Sequence, residues 1–147
     1  MSAILNALSR GALVWLLLMA AESLQGVLRH LFLSPALELA LHQLSVIVGV
    51  AVIFAITWAL LPWMRIRTTP QALAIGVMWA LLTLAFELGL GWIVGADWSR
   101  VSADYDLIHG GLMPLGLLAM ALTPWTAWRL RTARASPRSD RRLRKSP

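Results

Sequence analysis

Four long apolar stretches divide the chain, at about residues 11–33, 39–63, 71–95 and 107–127. Each holds about twenty residues or more, and at 1.5 Å rise per residue such a helix crosses ~30 Å of hydrocarbon. Ser34-Pro35 closes the first stretch, because proline drives the residue before it out of helical geometry. Pro62 and the run WMRIRTTP mark a short loop after the second, and ADWSRVSADYD is a polar turn after the third. A cleaved signal peptide ending at Ala20 or Ala21 would put Leu18 or Met19 where a small residue is wanted. Apolar character also resumes at Leu24, so an uncleaved first span is expected. No heptad repeat or internal duplication interrupts the pattern. It predicts an all-α, polytopic membrane protein, with a four-transmembrane-helix bundle over 1–128 and a disordered basic tail over 129–147.

The polar exceptions within these stretches are the next signal. Glu22, Gln25 and Arg29 stand at i, i+3 and i+7, on one narrow helix face. An Asp, Arg or Lys at a membrane-helix centre costs roughly 2.5–3.5 kcal/mol on insertion scales, so that face should look at protein or trapped water. On the third stretch Gly76, Ala80, Thr83, Glu87 and Gly91 form one stripe of small residues and an acid. On the second, Glu38, His42, Ser45 and Gly49 align; on the fourth, Asp106, His109, Gly110 and Met113 do. Small residues on one face let helices approach closely in lipid. Counting from the entry of each helix puts Glu22 ~16 Å deep and Glu87 ~24 Å deep. The expectation is a tight apolar lower half and an acidic pocket that opens outward. Its candidate lining is Glu22, Gln25, Arg29, His42, Glu87, Asp104, Asp106 and His109. A pair of Arg29 with Glu22 or Glu87 reads equally as a structural clip and as part of a ligand or proton site. Asp104 or Asp106 is expected to cap the fourth helix, and Pro114 to kink it.

Composition sharpens this picture. The 147 residues are 59% hydrophobic with a mean hydropathy of +0.70, above an ordinary soluble domain. Charge sets the orientation. Of the thirteen Lys and Arg, eleven fall on one side of an even number of spans: Arg10, Arg65, Arg67 and the eight in the tail. The positive-inside rule then places both termini of this multi-pass chain in the cytoplasm. Six of the seven acids lie centrally or on the other side. Trp63, Trp125 and Trp128 would sit at the inner interface and Trp92 and Trp98 at the outer one. Arg129, Arg131, Arg134, Arg141, Arg142, Arg144 and Lys145 are expected to touch anionic lipid headgroups. Nucleic acid is not an expected partner, since no aromatic is interleaved with the tail arginines. The expected partners are the lipid bilayer and a homo-oligomer or larger membrane complex.

With no cysteine, thiolate metal sites and a cysteine nucleophile are excluded. His30, His42 and His109 map to the outer side without a His-x3-His or Glu-x2-His pair. No metal, haem or other cofactor is therefore expected. No Ser-His-Asp spacing, phosphate loop or zinc motif points to an enzyme.

AES-x2-G-x2-R at 21–29, AFE at 85–87 and SADYDLIHGGLMPLG at 102–116 resemble a loose group of short bacterial four-span inner-membrane proteins of unassigned function. The resemblance covers about residues 10–130 and implies class and topology without a mechanism. The leading functional expectation is a non-enzymatic accessory, assembly or binding protein using the outer pocket. The second is a small carrier or channel for a cation, proton or small solute, using Glu22, Glu87 and Arg29.

Overall fold

The structure is a computed structural model that describes residues 2–32, 38–95, 97, 99, 102, 104–106, 108 and 111–135. Side chains are described at all of these except 2–3, 26, 29–32, 38–45 and 135. The long helices among the described residues are α1 (Ser2–Phe32), α2 (Glu38–Met64), α3 (Thr69–Ile93) and α4 (Met113–Ala135), and none of the described residues is in a strand. α1, α2 and α3 are each long and apolar enough to cross a membrane, over Ile4–Gln25, Val46–Met64 and Thr69–Ile93. Large apolar side chains such as Leu13, Leu24, Ile47 and Leu81 face outward, as they do on a protein whose solvent is hydrocarbon.

Helix ends follow local chemistry. Thr68 caps α3 in extended geometry, its hydroxyl accepting from the Gln71 N–H at 3.4 Å. The Gln71 side chain reaches back to accept from the Arg67 N–H at 2.9 Å, a close variant of the reciprocal capping box. α3 closes where Gly95 takes φ +65°, its N–H donating to the Trp92 carbonyl at 3.2 Å. α2 ends on a less suitable residue, because Arg65 also adopts positive φ, at 55°. Left-handed geometry costs a residue with a Cβ about 1–2 kcal/mol. Arg65→Gly should therefore raise the unfolding midpoint in detergent slightly, net of glycine's extra chain entropy; a lower midpoint would show that Arg65 is held there by contacts of its own.

α4 departs from the sequence expectation at both ends. It starts at Met113, not near residue 107, so Pro114 occupies the first turn. There its missing N–H removes no helical bond, and it does not kink the helix. The Met113 N–H, in the first turn of α4, donates to the Asp104 backbone carbonyl at 3.2 Å, and the Asp106 side chain accepts from the Ile108 N–H at 3.0 Å within the preceding loop. At the other end α4 continues to Ala135, and Arg129, Arg131 and Arg134 are helical rather than part of an irregular tail. Arginine is a good helix former, and cations in a last turn complement the helix dipole. Residues 136–147, with Arg141, Arg142, Arg144 and Lys145, lie outside the described residues.

α1 packs on α2 and α3, and α4 packs on α2 and α3, giving the order α1-α2-α4-α3 around the array. The shared core holds Val14 and Leu18 of α1, Ile53, Leu61 and Met64 of α2, Ile75 and Trp79 of α3, and Met120 of α4. Two indoles tie α1 to α3: Trp79 Nε1 donates to the Gly11 carbonyl at 2.8 Å, and Trp15 Nε1 to Thr83 Oγ1 at 3.0 Å. Apolar contact supplies little driving force between helices in lipid, so close packing and these bonds hold the array.

Candidate functional site

The small-residue stripe on α3 does two jobs along its length. Gly76 lets the α4 backbone come so close that the Ala121 carbonyl occupies the place of a Cβ. Two turns on, Thr83 is buried; its hydroxyl accepts from Trp15 and lies 3.0 Å from Met120 Sδ and 3.9 Å from Met19 Sδ. One further turn brings Glu87, and here the helices no longer close on each other. A partly open cavity of about 330 Å³ begins at this level. Thr83, Met19 and Met120 form its floor, Glu22 and Glu87 supply its carboxylates, and Phe86, Leu90, Met113 and Leu117 its apolar walls.

Glu22 and Glu87 thus line one recess from α1 and α3. Glu22 is held against α2 by the absence of a side chain at Gly49, whose Cβ position lies only 2.8 Å from Glu22 Oε2. Its other oxygen, Oε1, is buried and has no hydrogen-bond partner among the described residues. The recess sits at the end of the helices remote from Arg10, Arg65 and Arg129. Met19–Ser23 follows Arg10 by more than two turns, Thr83–Leu90 lies in the far half of α3, and Met113–Met120 opens α4.

One residue of the segment between α3 and α4 comes near Glu87. Tyr105 is partly buried, and its hydroxyl has no hydrogen-bond partner among the described residues. Burial pushes its phenol above the ordinary value, and the nearby Glu87 and Asp104 carboxylates add to the effect. Negative charge therefore gathers around Tyr105, with the Asp104 and Glu87 carboxylates both near its phenol. Sequence spacing did not single out Tyr105. The only signal was its place between two aspartates, which says nothing about which way a loop folds.

The other candidates are placed as follows. Gln25 is half-buried on α1, one turn beyond Glu22. Asp106 is in the loop before α4 and not on the helix that the sequence places it on, while Met113 opens α4 and lines the recess; Gly110 lies outside the described residues. Arg29 and His42 are on α1 and α2, and their side chains, like His109 altogether, lie outside the described residues. Seen chemically, the recess is an apolar slot with two carboxylates, suited to a cation or to a group that donates hydrogen bonds. No protein-family model matches the chain, nor does any curated protein or solved structure.

Proposed function

We propose that this chain is a four-span inner-membrane protein with both termini in the cytoplasm, and that it is a non-enzymatic binding protein. Its ligand is a small cation with an apolar body, such as a protonated amine, held in the outward recess. The observation that carries the reading is the pair Glu22 and Glu87 converging from separate helices on one methionine- and leucine-walled cavity. Carboxylates on membrane-spanning helices favour a counter-charge or a proton, and an apolar wall rewards an organic cation over a hydrated inorganic one. Binding is favoured over carriage because the floor is shut. Below Thr83 the space between the helices is filled by Trp79, Thr57, Leu18 and Met64, all fully buried. α4 counts as the fourth span because its apolar part, Met113–Trp128, continues to arginines whose long stems carry their charge to the surface.

Two measurements test this. The chain has no cysteine, so single cysteines can be introduced without background. A cysteine at Ser99 should react with an impermeant maleimide in intact cells, and one at Ser9 or Thr132 only after the membrane is opened. Ser9 and Thr132 on opposite sides would reduce the spans to three. Calorimetry with a series of protonated alkylamines should then detect binding to the purified chain. Replacing each acid by glutamine (Glu22→Gln, Glu87→Gln) should weaken it about tenfold, the loss expected for one buried charged contact. Unchanged affinity in the double variant would remove the carboxylates from the site, and amine flux into sealed vesicles would replace binding by carriage.

A further inference from the structure

The opposite end of the array carries a different arrangement. Pro62 lies inside α2 and has no N–H, so the Trp58 carbonyl four residues earlier lacks its normal helical partner. Arg131 of α4 supplies the missing donor, its Nη1 lying 3.1 Å from that oxygen. The same guanidinium stands 5.7 Å from the centre of the Trp58 ring, and the guanidinium of Arg134 stands 5.2 Å from it. Both distances are in the range where a cation is attracted to an indole face. Two guanidiniums on one ring repel each other, and no carboxylate at this end is paired with either among the described residues. The charge is thus gathered and left unbalanced. A guanidinium held near an indole face still has its planar fork of N–H groups, which matches phosphate oxygens.

We infer that Trp58, Arg131 and Arg134 form a seat for the phosphate of an anionic phospholipid in the leaflet at this end. The seat's surroundings decide for a lipid over any other phosphate. Leu130, on the same helix as the two arginines, is exposed and offers apolar surface where an acyl chain would run. A tryptophan with arginines at the end of an apolar helix is also the arrangement found where membrane meets water. The difference from a basic tail that clings to a charged surface lies in geometry. The helix of α4 brings both arginines to one indole of α2, and the Trp58 carbonyl that Pro62 sets free accepts from one of them. The seat rests on the four-span reading only in assigning this end to the cytoplasmic leaflet, which the cysteine labelling tests separately.

The test compares retention of phosphatidylglycerol and phosphatidylcholine by the purified full chain, with bound lipid counted by native mass spectrometry. Phosphatidylglycerol should be preferred, and R131Q/R134Q should lower its affinity about thirtyfold, as for two basic groups removed from a headgroup. R131K/R134K keeps the charge but loses the fork and the ring stacking, and should weaken binding several-fold. R134Q alone leaves the bond to the Trp58 carbonyl in place, so its loss of lipid would not come from a misfolded α2. Wild-type retention in R131K/R134K, with the loss confined to R141Q/R142Q/R144Q/K145Q, would overturn the seat in favour of diffuse attraction by the tail. Competition by inorganic phosphate or a short oligonucleotide at the concentration of lipid would equally overturn a lipid-specific site.

Discussion

Replacing Trp79 by alanine should destabilise the protein more than any other single truncation in its core. The side chain is completely buried at the junction of α3 with α1, and its indole N–H is spent on the Gly11 carbonyl. Truncation leaves a cavity where the surrounding helices are already close-packed, and a large aromatic lost in this way typically costs about 3–5 kcal/mol. Trp79→Phe keeps most of the ring and loses the hydrogen bond, worth about 0.6–1.7 kcal/mol between membrane helices. The natural control is Trp92, which is 86% exposed beyond the packed part of α3. Unfolding in mixed detergent should rank Trp79→Ala well below Trp79→Phe, with Trp92→Ala near the parent. Equal midpoints for the two alanine variants would mean that the α1–α3 contact does not hold the fold together.

A second large effect is expected at Gly76, and it should have the opposite sign to the same change thirteen residues further along α3. A Cβ on Gly76 would coincide with the Ala121 carbonyl of α4, and a backbone cannot step aside as a side chain can. Gly76→Ala should therefore lower stability by about 1–3 kcal/mol, and Gly76→Leu by more, because α3 and α4 must separate along their whole contact. Around Gly89 nothing lies within 4 Å of an added Cβ. Gly89→Ala should instead gain about 0.5–1 kcal/mol, the usual return for removing a glycine from a helix interior. Thermal unfolding midpoints that move in the same direction for both alanine variants would refute the close approach at Gly76. Because Met120 and Thr83 lie just above this contact, Gly76→Leu should also loosen the floor of the recess.

The part of the α3 stripe from Gly76 to Glu87 was legible for a physical reason. In a helix that lipid surrounds, apolar residues mark every face, so hydrophobic periodicity carries no direction. Small and polar residues do carry one, since a glycine lets a neighbouring backbone approach and a carboxylate avoids hydrocarbon. Gly76, Thr83 and Glu87 could thus be placed on one working face, whereas Ile75 and Trp79 beside them could not. Gly49 belongs to the same class, although its specific use, making room for the Glu22 carboxylate, needs the position of α1. The junction before α4 was misjudged because a run of apolar residues from Leu107 looks like helix. Gly110-Gly111 and Pro114 instead defer the first turn to Met113.

Sequence alone was sufficient for the membrane class, for the bounds of α1, α2 and α3 to within a few residues at most ends, and for the segregation of basic from acidic groups. Those properties depend on length, hydropathy and charge counted along one dimension. Only tertiary structure decided that α3 stands between α1 and α4, that Thr83 receives the Trp15 indole, that Tyr105 leans toward Glu87, and that Arg131 answers the carbonyl Pro62 sets free. Each of these joins groups far apart in the chain through a direction in space. A helix apolar all round does not encode that direction until its neighbours are in place.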